Sequence, residues 1–180
     1  EKYHGSATAR DLVYHSPVLF MVMILLAANF ILHAWSNGYI NRKRLGLILT
    51  HAAFAVIMTG AAVTHFTSMD GIIHLREGEI TDHMLVGESA SHQLPFTIGL
   101  DDFVLKRYPG SGSPSSYESF VTVYTEDGQS KAHIFMNNVL DIQGYRIYQA
   151  SYDPDEKGSI LSVSHDSFGR RITYIGYITL

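Results

Sequence analysis

Residues 45–64 read LGLILTHAAFAVIMTGAAVT. These twenty residues hold no Asp, Glu, Lys or Arg, and about 20 such residues suffice to carry a helix across a bilayer core. One ionisable side chain, His51, lies inside the run. A titratable group at that depth costs free energy unless something binds it, which marks it as a functional residue. Chemistry alone leaves two readings of His51 open. It either bonds a carbonyl or side chain of a neighbouring helix, or serves as an axial ligand to haem iron, a role that neutral imidazole commonly fills.

A second apolar run precedes it. Residues 17–35, PVLFMVMILLAANFILHAW, carry no charge, and only Asn29 and His33 are polar. Ser16-Pro17 supplies an N-cap and first-turn signature for this helix. Trp35 and Tyr39 suit a membrane interface. His33, one turn from the inner end, reads as an interfacial side chain. The two spans form a transmembrane hairpin whose loop, residues 36–44, contains Arg42, Lys43 and Arg44. Packed basic residues in a short loop place it on the cytoplasmic side. His51 then sits in the cytoplasmic half of the bilayer, about 9 Å in at 1.5 Å per residue.

After Phe66 the hydrophobic period changes. LPFTIGLDDFVLKRYPG alternates apolar and polar residues, and YESFVTVYTEDGQSKAHIFMNN reads as a hairpin turning at Asp127-Gly128. GYRIYQASYD and GSILSVSHD are further strands joined by PDEK, and a last strand or span begins near Arg171. Roughly seven short strands follow, with little helix. The expected fold class is therefore an integral membrane protein: an α-helical transmembrane hairpin within residues 1–66, then an all-β, antiparallel extracytoplasmic domain over residues 67–180. Both ends of the chain look cut, with further spans expected on either side.

The remaining composition narrows the chemistry. The net charge of -4 gives no reason to expect nucleic acid, and the absence of cysteine excludes disulfides and thiolate chemistry within the chain. His65, His74, His83 and His92 recur every nine residues, a spacing that matches neither a helix face nor a strand face, so they read as hydrogen-bonded or solvated side chains. Asp101, Asp102, Asp153, Asp155 and Glu156 read as turn carboxylates, and Tyr145, Tyr148 and Tyr152 as core. No zinc-protease motif, nucleophile elbow or P-loop occurs.

Several stretches together resemble a known family. TARDLVYHSPVLF, LTHAAFAVIMTGAAVTHF leading into DGIIHLREGEI, LPFTIGLDDFVLKRYPGS and GYRIYQASYDPDEKGSILSVSHDSFGR are similar to the ResB/CcsB proteins of System II cytochrome c biogenesis, in the order of the fused CcsBA type. The resemblance implies haem transport and attachment. Haem (haem b) is held in the membrane between two histidines, one from each half, and then joined to the CxxCH thiols of an apocytochrome c. On the residues present here, it assigns His51 as the membrane axial ligand to haem iron. The second ligand belongs to a CcsA half or subunit outside this chain, as does the WWD haem-handling motif.

The implied partners are that CcsA half, apocytochrome c, a thioredoxin-like thiol reductant and the lipid bilayer. The implied location is the cytoplasmic (inner) membrane, multi-pass, with the β-domain on the periplasmic side. The segment contributes to a holocytochrome c synthase without a catalytic set of its own. Two other classes stay open: a membrane-anchored β-domain that binds or senses, with His51 merely structural, and a membrane haem protein that transfers electrons.

Overall fold

The computed structural model describes residues 16–36, 45–87, 89–166 and 168–180. The lead-in over residues 1–15 and the basic loop carrying Arg42, Lys43 and Arg44 lie outside the described residues. Two compact units divide the chain: Met69–His165 forms one, and the residues up to Ser68 with Asp166–Leu180 form the other.

The helical unit contains α1 (Pro17–Ser36), α2 (Leu45–Thr67) and α3 (Gly169–Thr179). Among the described residues α2 is the one helix long and apolar enough to cross a membrane, by length and composition. α1 and α2 pair in opposite directions. Phe20 meets His65 and Phe66 at one end, with ring centroids 5.7 and 5.3 Å away, and Phe30 meets His51 and Phe54 at the other, 5.6 and 5.7 Å away. Alanine, threonine and methionine between these ends leave a gap of about 200 Å³ lined by Met23, Ala27, Met58 and Thr59 among others.

α2 and α3 approach much more closely, and glycine permits it. A Cβ at Gly169 would overlap Thr64 Oγ1 and lie 2.5 Å from the Thr64 amide nitrogen. One at Gly60 would lie 2.7 Å from the Thr173 nitrogen, and one at Gly176 would lie 3.0 Å from the Ala53 carbonyl oxygen. Small residues on both helices let the backbones approach closely, where many dispersion contacts add up. Asp166 pins the start of α3: one carboxylate oxygen accepts from Thr64 Oγ1 at 2.7 Å, and the other accepts from the Gly169 amide at 2.9 Å. Because the atoms in the way at Gly169 include the Thr64 backbone, Gly169→Ala is expected to cost about 1–3 kcal/mol as overpacking. Detergent-titration unfolding of wild type and variant measures it.

The second unit is one antiparallel sheet of eight strands in the order β5-β4-β3-β2-β1-β8-β7-β6. The strands are β1 (Met69–Arg76), β2 (Ile80–Val86), β3 (Ala90–Arg107), β4 (Pro114–Thr125), β5 (Gly128–Phe135), β6 (Leu140–Ile142), β7 (Tyr145–Tyr152) and β8 (Gly158–His165). The first and last strands pair along their full length, from Met69 with His165 to Arg76 with Gly158. The sheet then curls until strands far apart in the pairing order face one another. Ser119 on β4 donates to Gln149 on β7 at 2.6 Å, and Gln149 Nε2 donates to Ser159 on β8 at 2.9 Å. Ser119 and Ser159 are fully buried, so this triangle satisfies polar groups that would otherwise be costly inside an apolar fold. Around it Ile73, Leu100, Val121, Val123, Ile134, Ile147, Leu161 and Val163 form a core.

The structure departs from the sequence expectation in several places. The β-domain closes at His165 rather than running to residue 180, and residues 169–179 are helical, so of the two readings offered there (a last strand or a span) the strand is excluded; Gly169 and Gly176 give this helix a tight seat on α2. β2 was not foreseen, since Thr81, Asp82 and His83 interrupt its alternation. Its pairing with β3 is irregular between Thr81 and His83. Asp101 and Asp102 lie inside β3, not at a turn. The β3–β4 register shifts between Leu100 and Asp102, and Asp101 accepts from Thr122 Oγ1 at 2.6 Å. Of the three tyrosines expected in the core, Tyr145 is buried and Tyr152 packs against the core, but Tyr148 is exposed.

One carboxylate in the sheet makes stability depend on pH. Glu118, with a side chain 10% exposed, accepts from Lys106 Nζ and from His133 Nε2, the latter at 2.9 Å. The Lys106 hydrogen bond, seconded by His133, holds the Glu118 carboxyl below its ordinary value against the opposing effect of burial. A carboxyl lowered by folding contributes stability above its unfolded pKa, about 4.3 for glutamate, and that contribution is lost as pH falls through the lowered folded value. Thermal unfolding from about pH 6 to pH 3 is therefore expected to fall less steeply in Glu118→Gln than in wild type. Equal slopes would remove Glu118 from the account.

Candidate functional site

The apolar helix pair sets the geometry of the site. His51 lies six residues into α2, and its Nδ1 sits 2.8 Å from the Leu47 carbonyl oxygen one turn earlier. A carbonyl can only accept, so Nδ1 carries the proton and Nε2 holds the ring's lone pair. That is the tautomer a metal-binding imidazole takes when its other nitrogen is held by a backbone carbonyl. Thr50 repeats the pattern beside it, donating to the Gly46 carbonyl at 3.0 Å. This turn of α2 therefore satisfies its polar side chains against its own backbone.

The neighbours of His51 are aromatic and come from the antiparallel helix. Phe30 presents its ring at 90° to the imidazole and at 24° to Phe54. His33, three residues further along α1, brings its ring centroid to 6.2 Å from that of His51, with the planes 20° apart. A cavity of about 570 Å³ opens beside it, lined by Asn29, Leu32, His33 and Ser36. That volume falls in the range of small-molecule and cofactor pockets. His33 lines this open groove, and His51 is not among its lining residues.

His33 is the residue that sequence reasoning set aside. Its depth in α1 made it look interfacial, and its partner became visible only once the helices were paired. A signal was nonetheless present: in a hairpin turning near residue 41, position 33 falls close to the level of position 50. The nine-residue histidine series resolves into separate local contacts. His74 meets Asp153 at 2.9 Å, His83 meets its neighbour Asp82, and His92 Nε2 lies 3.4 Å from the Tyr145 hydroxyl. His65 stacks on Phe20. No group of three or more His, Asp or Glu able to hold a metal ion occurs among the described residues.

The acidic turn between β7 and β8 is a charge network. Arg76 donates to Asp153 at 3.3 Å and also to Asp155, and Arg107 donates to Glu156. The Arg76 hydrogen bond draws Asp155 below the ordinary carboxylate value. These pairs brace the turn.

The ResB-like family's sequence profile matches residues 36–173, which include all of α2 and the whole sheet. The chain belongs to the ResB-like family. Protein NrfI of Wolinella succinogenes is 50% identical to it over 90 residues, which make up 48% of this chain and 10% of that protein. The chain thus spans about a tenth of the length of that curated relative. Among solved structures, "Cytochrome c Heme Lyase CcmF" superposes with a TM-score of 0.43 and 15% identity, over 89% of this chain and 28% of that one. The family match begins at Ser36, the last residue of α1, so His33 lies just outside it and His51 lies within it.

Proposed function

We propose that this chain forms part of a membrane machine that carries haem across the cytoplasmic membrane and attaches it to apocytochrome c. The observation that carries the reading is His51, an imidazole within an apolar helix whose Nδ1 is held by the Leu47 carbonyl at 2.8 Å. Membership in a family to which System II cytochrome c biogenesis proteins belong supplies the cargo. In this reading the second axial ligand comes from a CcsA half or subunit, and haem is substrate as well as ligand.

The exposed surface of the helices supports a lipid setting. Val18, Leu25, Leu32 and Phe66 are each more than 60% exposed. So much bare apolar side chain on one helix pair is unfavourable in water and costs nothing against acyl chains. In the proposed orientation the 36–44 loop faces the cytoplasm and the eight-stranded sheet lies outside it, where apocytochrome c and a thioredoxin-like reductant work. The attachment thiols belong to the CxxCH of the apocytochrome, since this chain has no cysteine. In this reading His51 would hold the iron.

Two measurements test the proposal. A reporter fused after Gly128 should show extracytoplasmic activity, and a cytoplasmic signal would overturn the orientation. The natural full-length protein, purified from membranes, should carry low-spin haem and release it into holocytochrome when given apocytochrome c. Reversible redox turnover with a quinone, with no dependence on apocytochrome, would instead identify an electron carrier.

A further inference from the structure

We infer that Asn29 marks a docking face on α1 for a further membrane helix, one that lies outside this chain and carries a polar side chain opposite the Asn29 amide. The inference rests on the membrane reading of the helical unit and adds a contact which that reading does not supply. Asn29 lies within the apolar α1. Its neighbour Phe30 stacks on Phe54, the tenth of the twenty-three residues of α2. At 1.5 Å per residue that level is about 14 Å from the start of α2, close to the midplane of a hydrocarbon core about 30 Å thick. An amide there has no water to bond. Thr50 and Thr59 meet the same demand within α2 by donating to carbonyls one turn back, at 3.0 and 2.8 Å. Asn29 does not: it is exposed, and among the described residues its side chain has no hydrogen-bond partner.

The face around it has the shape a helix needs. Leu32, His33 and Ser36 follow Asn29 at three, four and seven residues, so all four share one side of α1, where they line the open groove of about 570 Å³. Met23 and Ala27, which line the gap against α2, lie on the other side. His33 and Ser36 have interactions of their own, so the unmet demand is that of Asn29, whose amide can both donate and accept. Acyl chains would fill the groove but offer nothing to the amide. An amide, hydroxyl or imidazole on an incoming helix satisfies it, and such hydrogen bonds join membrane helices. A second copy of this chain is a poorer occupant. In one membrane both copies keep the same orientation, so their Arg42-Lys43-Arg44 runs would meet at one level and repel. The chain spans about a tenth of its curated relative, and the helix belongs to the rest of the synthase.

The test places a photo-reactive benzophenone side chain at position 29, or at position 31, in the natural full-length protein in its membrane, and mass spectrometry identifies what each attaches to. Ile31 is the control, 55% exposed and on the opposite side of α1. Position 31 should attach to lipid, and position 29 to a membrane helix outside residues 1–180. Asn29→Leu should shorten the half-life of the intact protein in mild detergent about fivefold, the order expected for one interhelical hydrogen bond, while Asn29→Gln stays within about twofold of wild type. Equal half-lives for Asn29→Leu and wild type, or lipid attachment from both positions, would overturn the docking face and leave the membrane reading standing. Attachment of position 29 to a second copy would overturn the assigned occupant. If neither position attaches to lipid and alkaline carbonate releases the protein without detergent, the membrane reading falls and the docking face with it.

Discussion

His51→Ala is expected to leave the full-length protein with no more than about a tenth of its bound haem. Even changes one shell away from a metal cost about 10–100-fold in affinity, and this one removes the ligand itself. The loss should appear as reduced intensity of the low-spin bands at equal protein concentration. It is to be read per folded protein, because the imidazole also contacts Phe30 and His33 on α1 besides its 2.8 Å hydrogen bond to Leu47. Alanine is a better helix former than histidine, so α2 itself gains slightly. The packing that holds α2 against α3 involves Ala53, Gly60 and Thr64 rather than His51. Added imidazole should recover the spectrum of the corresponding glycine variant. An unaltered spectrum in His51→Ala would end the ligand assignment.

The second large effect belongs to the sheet. Leu161→Ala is expected to destabilise the β-domain by about 2–5 kcal/mol, the range for a buried leucine whose cavity cannot collapse. Leu161 is fully buried on β8, the strand between β1 and β7. Its pairing partners Ile73 and Gln149 lie on those two neighbours. A void here faces walls pinned by the β1–β8 register on one side and by the Ser119–Gln149–Ser159 hydrogen bonds on the other, which leaves little room to relax. Denaturant unfolding followed by far-ultraviolet circular dichroism measures the change. A cost below about 1 kcal/mol would mean that the core closes over the gap.

Much of this fold can be read without coordinates, and the reason is that its signals are local. The charge-free run at residues 45–64 needs no partner to be recognised as a membrane-length helix, and it extends to Thr67 in the structure. The hairpin at Asp127-Gly128 follows from a turn dipeptide between β-rich arms, and Thr125 pairs with Gly128 there. β7 and β8 likewise follow from alternation and from the turn chemistry between them. β2 was hidden because its polar residues break the alternation at a register irregularity, and β6 because three residues carry no periodic signal.

The candidate site divides in the same way. His51 was visible because burial of an ionisable group in an apolar helix is expensive wherever the rest of the chain goes. His33 was not, because one polar residue near a helix end has an adequate local explanation. Only the pairing of α1 with α2 brings its ring to 6.2 Å from that of His51. The curl of the sheet is also beyond sequence, since Ser119 and Gln149 lie thirty positions apart and on strands that do not pair.

By itself, then, the chain's order of residues determines the apolar helices, the strand-rich remainder, the family and the one histidine that membrane energetics single out. The tertiary structure decides which elements meet: α3 seated on α2 through glycine, β4 folded over β7 and β8, and a second imidazole beside the first. Periodicity records what each segment buries, and a free-energy cost borne by one residue can be read at that residue. A contact between two segments is a property of both, and neither segment's sequence carries it alone.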